Sequence, residues 1–233
     1  MKIGAIIYTR LGSERLKNKG LIYFGKKKLV ELVIERVKKI SNLENIILAT
    51  SNSKLDKKLQ ATAKNYKIPF FQGSENDVIE RTFKCLKKFK MKYFLRVCGD
   101  RIFFDNHFID KTLIRLKKNK TPYDLISNNF NSNVDPGLTV EILSFECIKK
   151  LYLNKKLNLY NKEHITSFIY QNCEMFNIKQ LKSPNYHYQK YKYTIDNKKD
   201  VFFAKKILSK IQKDDLYEFK NIYKIYKKLK KWY

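Results

Sequence analysis

A chain of 233 residues with 43% hydrophobic content is long enough for one large α/β domain and holds enough apolar material for a real core. Its formal charge is +28, yet only 7 of the 50 basic residues are Arg, and the lysines are spread over almost every segment beside many Asn, Ile and Tyr. Such a spread is a compositional bias on a solvated surface, so the charge does not by itself argue for a nucleic-acid partner.

The apolar runs are strand-length, far short of the roughly 20 residues of a membrane span. There is no secretory leader pattern, and Cys85, Cys98, Cys147 and Cys173 show no CxxC spacing, so a reducing cytoplasm is the expected home. His107, His164 and His187 lie far apart, which argues against a His-based metal site.

In chain order, runs dense in β-branched residues predict buried parallel strands at 3–8, 45–49, 68–71, 93–97 and 124–127. Between them, apolar residues at i, i+3, i+4 and i+7 predict helices: Leu29 to Ile40, Val78 to Phe89 and Phe108 to Leu116. The alternation predicts a doubly wound sheet with ligands at the carboxyl ends of its strands. Beyond residue 130 the pattern predicts an extended stretch at 138–143, helices at 144–153 and 162–171, and strands at 175–179 and 191–195. A final basic amphipathic helix, 214–233, places Leu216, Phe219, Ile222, Tyr223, Tyr226 and Leu229 on one face. With Tyr on so much of that face, packing on the domain or a second subunit is expected rather than membrane binding.

Three segments carry candidate chemistry. After the first strand comes TRLGSERLKNKGL, Thr9 to Leu21. It fits neither a hairpin turn nor the Walker phosphate loop. Where Lys is the default cation, Arg10 and Arg15 offer planar forks of donors, while Gly12 and Ser13 allow a tight turn close to an anion. A polyanion is the expected guest.

The second segment, FLRVCGDRIFFD, ends an apolar strand in Gly99 and Asp100, where a nucleotide-binding sheet can present a carboxylate to Mg²⁺. Asp105 reads as the cap of the next helix. In the third, YTIDNKKD, Asp196 either joins Asp100 as a second metal carboxylate or caps a helix starting near Asn197.

Together these segments resemble the CMP-sugar synthetases, which activate acylneuraminate, Kdo and related sugar acids, and in particular the short spore-coat-polysaccharide-type branch. The motif R-x-G-S-x-R-L-P-G-K-x-L is matched by Arg10, Gly12, Ser13, Arg15, Leu16, Lys19 and Leu21, and G-K-x-L-[LV]-E-x-V-I-E-R is matched between Gly25 and Arg36. In the same order follow ATS at 49–51, GSENDVIER at 73–81, RVCGD at 96–100, ISN at 126–128, GLTVEI at 137–142, EHIT at 163–166 and YTID at 193–196.

The resemblance implies an α/β fold, a nucleotide-diphospho-sugar transferase-like Rossmann variant with a doubly wound, mostly parallel sheet. It implies one cytidylyltransferase domain over 1–233 with an inserted α+β sugar-binding and dimerisation subregion at about 130–175, working as a homodimer. Position by position, Arg10, Arg15 and Lys19 would hold the triphosphate of CTP, supported by Gly12 and Ser13. Ser74, Asp77, Arg81 and Arg96 would serve the nucleotide, and Asp100 and Asp196 would coordinate Mg²⁺. Asn128, Glu141, Glu163 and His164 would face the sugar; Arg10, Arg15, Lys19 and Asp100 would be catalytic.

The implied reaction transfers CMP from CTP to the anomeric hydroxyl of a sugar acid and releases pyrophosphate, supplying surface polysaccharide such as lipopolysaccharide. Several positions depart from the pattern: Lys17 and Asn18 replace Pro-Gly, Thr139 replaces an acid, Arg101 and Ile102 follow Asp100 where Pro is common, and Asn197 replaces Thr. Two other readings are a glycosyltransferase of the same fold, disfavoured by the lack of an Asp-x-Asp pair in GDRIFFD, and a noncatalytic binder of nucleic acid or an anionic surface.

Overall fold

The computed structural model describes residues 2–13, 15–211 and 218–230. Its central sheet is built from β1 (Ile3–Tyr8), β4 (Asn45–Ser51), β5 (Phe70–Gly73), β6 (Tyr93–Cys98), β7 (Leu125–Ser127), β8 (Glu141–Ser144) and β9 (Ile178–Gln180); β2 (Tyr23–Phe24) and β3 (Lys27–Lys28) form a separate small hairpin. The order across the sheet is β5-β4-β1-β6-β8-β7-β9. Every neighbouring pair is parallel except β6/β8 and β7/β8, so β8 alone runs against the rest.

Strand alternation sends Ile3, Ala5 and Ile7 of β1 into one core and Ile6 into the other. The first core packs α1 (Leu29–Lys38), α4 (Asn106–Lys118), α8 (Lys198–Lys210) and α9 (Phe219–Lys230) on one face. The second packs α3 (Val78–Phe89), α5 (Phe145–Leu153) and α7 (Ser167–Gln171) on the other. Short helices α2 (Leu59–Asn65) and α6 (Leu159–Glu163) complete the chain.

Helix starts follow their caps. Asp77, Asp105, Ser144 and Asn197 each accept a hydrogen bond from the backbone N–H three residues on, opening α3, α4, α5 and α8; such caps are worth about 1 kcal/mol each. The cap of α8 is therefore Asn197 and not Asp196. Lys90, in the left-handed region at φ 51°, ends α3.

Arg36, a scarce arginine in the α1 motif, is buried and donates from Nε to the Phe104 carbonyl at 2.8 Å, which makes it a framework residue.

Several sequence expectations need correction. Residues 191–195 form no strand; Thr194 makes a lone antiparallel bridge to Arg101, while Tyr191 and Tyr193 pack on Tyr226 of α9 with ring centroids 4.6 and 4.8 Å apart. The expected helix 162–171 is broken between α6 and α7, and the expected strands at 68–71 and 175–179 begin only at Phe70 and Ile178. Phe219, Ile222 and Tyr226 of α9 are buried against the domain. Leu216 and the start expected for that helix lie outside the described residues.

Candidate active site

Two close approaches assemble the site. At Gly99 an added Cβ would fall 2.7 Å from the Thr9 Cβ, so only glycine lets the turn after β6 lie against the turn after β1. At Gly137, φ is +98° and an added Cβ would fall 2.7 Å from the Tyr193 carbonyl carbon. The Tyr193 N–H donates to the Pro136 carbonyl at 2.7 Å, and the Ile195 N–H to the Asp100 carbonyl at 3.1 Å. Residues 9–13, 15–19, 99–101, 136–141 and 193–196 thereby meet at the carboxyl ends of β1 and β6, where an α/β sheet holds its ligands.

At the centre stands Lys19. Its Nζ lies 2.8 Å from Asp100 Oδ2 and 3.4 Å from Asp196 Oδ1. The Arg15 guanidinium reaches the same Asp196 oxygen at 3.4 Å, while its side chain stays 75% exposed. On Asp196 Oδ2, the Thr194 hydroxyl donates at 2.9 Å and Lys192 Nζ stands at 3.2 Å. Arg10 reaches Glu163 of α6 at 2.8 Å. The structure thus brings Arg15, Lys19, Asp100 and Asp196 together, and pairs Arg10 with Glu163.

Burial pushes the Asp196 carboxyl up, but Thr194, Lys192 and Lys19 outweigh burial and hold it below the usual carboxylate range. The stabilisation from these pairs is complete above the unfolded-chain value of about 4 and is lost as pH falls through the lower folded value. Acid unfolding is expected to separate wild type from Asp196→Asn above pH about 4, with the wild type more stable, and to bring the two together as pH falls through the lower folded value.

Asp100 and Asp196 are the carboxylates expected to hold a divalent cation. Asp100 Oδ1 is buried without a hydrogen-bond partner, while Asp100 Oδ2 and Asp196 Oδ1 share the Lys19 ammonium. Among the described residues no group of three or more His, Cys, Asp or Glu converges. Two carboxylates nevertheless suit Mg²⁺, which commonly fills its remaining positions with phosphate oxygens and water.

Among the residues expected to serve the nucleotide, Ser74 Oγ accepts from the Asp77 N–H at 3.0 Å and Asp77 Oδ1 from the Glu80 N–H at 2.7 Å, so both are engaged at the start of α3. Arg81 is buried beside Gly73, 5.8 Å from the Tyr8 ring, with Nε and one terminal nitrogen unpaired. Burial lowers its pKa, partly offset by Tyr8.

Arg96 and Glu141 form a hydrogen-bonded ion pair, with Glu141 only 4% exposed and also accepting from the Tyr170 hydroxyl at 3.0 Å. Burial opposes both charges, yet Cys98 and Glu141 hold the Arg96 pKa above its usual value, and Arg96 with Arg101 holds that of Glu141 below. The Asn128 amide is spent within the framework: Nδ2 donates to the Leu138 carbonyl at 3.1 Å and Ser183 Oγ at 2.8 Å, and Oδ1 accepts from the Val140 N–H at 2.7 Å. His164 is exposed at the end of α6, its ring 4.5 Å from that of Tyr160.

Sequence reasoning missed Lys192, one lysine among many, and Thr194. It also missed Asp56 and the contact between two motif departures: the Arg101 guanidinium donates to the Thr139 carbonyl at 3.2 Å and to its hydroxyl.

The chain is 35% identical over 201 residues to protein MJ1063 of Methanocaldococcus jannaschii, covering 86% of this chain and 80% of that one. It is 26% identical to the spore coat polysaccharide biosynthesis protein SpsF of Bacillus subtilis, covering 88% of this chain and 85% of that one. A solved cytidylyltransferase from Leptospira borgpetersenii superposes with a TM-score of 0.91 at 27% identity, covering 99% of this chain and 96% of that one. With the cytidylyltransferase family model matching residues 4–229, the cleft around Lys19 is that of a chain that belongs to the cytidylyltransferase family.

Proposed function

We propose that the chain transfers CMP from CTP to the anomeric hydroxyl of a sugar acid, of the nonulosonic or Kdo-like class, and releases pyrophosphate. The observation that carries this reading is the position of Lys19, between Asp100 and Asp196, with Arg15 on the same Asp196 oxygen. The likeness to SpsF, named for spore coat polysaccharide biosynthesis, supports a sugar acceptor and a role in surface polysaccharide.

In this reading the anomeric hydroxyl gives its proton to solvent and its oxygen bonds to the α-phosphorus while the bond from that phosphorus to the α,β-bridging oxygen breaks, and pyrophosphate leaves with the electron pair. Arg10, Arg15 and Lys19 stabilise the negative charge that builds on the phosphoryl oxygens and the departing group. Fixing the triphosphate in line with the acceptor removes much of the entropic barrier. Mg²⁺, held by Asp100 and Asp196, would supply Lewis-acid neutralisation of the phosphates. Glu163 and the exposed His164 stand on the acceptor side, and residues 130–175 are the proposed homodimer contact.

The test is pyrophosphate release from CTP and Mg²⁺ with a panel of Kdo and nonulosonic acids. Release with at least one member is expected. No release with any, together with no CTP binding by calorimetry, overturns the reading.

A further inference from the structure

We infer that Asp56 is a positioning residue that fixes the phosphate-binding loop from behind. Asp56 is 1% exposed and opens the short 3-10 turn Asp56–Lys58. Its Oδ1 accepts from the Leu11 N–H at 2.7 Å. Its Oδ2 accepts from the Thr50 hydroxyl at 2.6 Å, the Ser51 hydroxyl at 2.6 Å and the Ser51 N–H at 3.2 Å. One buried carboxylate thus ties the peptide after Arg10 to the carboxyl end of β4 through four donors.

The consequence for the loop follows from Leu11. Its side chain is buried, its N–H is held by Asp56, and its carbonyl accepts from the Asn18 N–H at 3.1 Å. Asn18 is in the left-handed region at φ 54°, and its carbonyl accepts from the Leu21 N–H at 2.8 Å. Leu11 is therefore the root of the loop that carries Arg10, Arg15 and Lys19. Hydrogen bonds to an ionised acceptor are about twice as strong as neutral ones, so the anchor is a stiff one. Asp56 points no atom toward a ligand; all four contacts are to the protein framework. Its charge also favours the charged form of Arg81, the buried arginine behind the same loop.

An amide cannot replace this carboxylate. The Asp56→Asn side chain would offer one acceptor oxygen and a donor NH₂ to two backbone N–H groups, and although both hydroxyls can turn to accept, one N–H is left unpaired in a buried place.

The inference rests on the triphosphate reading, and its test separates the two. CTP and CMP affinities are measured by calorimetry without Mg²⁺, for wild type and Asp56→Asn. The variant is expected to bind CTP about tenfold more weakly or worse while CMP affinity changes less than about twofold, because a displaced loop loses the β- and γ-phosphates first. Hydrogen exchange at the Leu11 amide is expected to be slow in wild type and fast in the variant.

A Thr50→Val/Ser51→Ala double variant keeps the Leu11 bond and is expected to lose stability with the CTP-to-CMP ratio unchanged. If Asp56→Asn does not fold, Asp56→Glu, which keeps the charge but moves the oxygens by one carbon, takes its place with the same expected loss of CTP preference. A folded Asp56 variant with an unaltered ratio overturns the positioning role. Failure of wild type to bind CTP overturns the triphosphate reading instead.

Discussion

Replacing Lys19 by methionine is expected to lower kcat by about 10²- to 10³-fold, the loss typical when a preorganised donor to developing negative charge is removed. The reason lies in its position: the ammonium is 15% exposed and lies within 3.4 Å of two carboxylates, where no mobile lysine could take its place. Methionine keeps the length of the side chain and removes the charge. Circular dichroism should show an unchanged fold, since the framework beneath, from Gly99 to Thr9, does not depend on the ammonium. Lys17, two residues earlier and exposed, is expected to tolerate the same change within about twofold, which controls for loss of general positive charge. Wild-type turnover by Lys19→Met would remove Lys19 from the mechanism.

Breaking the Arg96–Glu141 pair from one side is expected to cost about 3–5 kcal/mol of stability, because Glu141→Leu leaves a guanidinium charged inside the protein. Urea unfolding measures it. The pair joins neighbouring strands, β6 and β8, at one of the two antiparallel pairings in the sheet. Arg96→Met combined with Glu141→Leu is expected to recover much of the loss, since two apolar side chains can replace a buried ion pair at little cost. A double variant as unstable as the single one would show that the charges do more than satisfy each other.

How much of this was legible in the sequence depended on what periodicity can encode. β1, β4 and β6 were visible because burial on both faces leaves an unbroken β-branched run. The reversal of β8 was not, because an apolar run carries no arrow. Residues 191–195 alternate like a strand, but their alternate rings are buried by α9 rather than by a neighbouring strand, and only the fold distinguishes those two burials.

The cleft divides in a similar way. Arg10, Arg15, Lys19, Asp100 and Asp196 stood out through motif order and through the scarcity of arginine, and the fold brings the last four together. Asp77, Ser74 and Asn128 carry the same motif letters, yet each has backbone partners that account for its polar atoms. Lys192 was hidden by composition, since one more lysine in this chain carries no signal. Asp56 was hidden by burial, which makes a carboxylate in a lysine-rich stretch an internal brace.

The reversal of β8 has a further meaning for how such a protein can diverge. β7 leaves the sheet at the edge where β1 and β6 end, and β8, running the other way, re-enters at that same edge. The connection between them, residues 128–140, therefore begins and ends at that edge without crossing the sheet. Asn128 clamps its two ends together through Leu138 and Val140, so strand register is set at the base of the connection. Residues 129–134, outside the stretch where Asp135, Pro136 and Gly137 meet Tyr191 and Tyr193, can lengthen, shorten or exchange side chains while that framework keeps its geometry. In the proposed reaction, acceptor preference can drift there from one descendant to another, with the nucleotide chemistry left untouched.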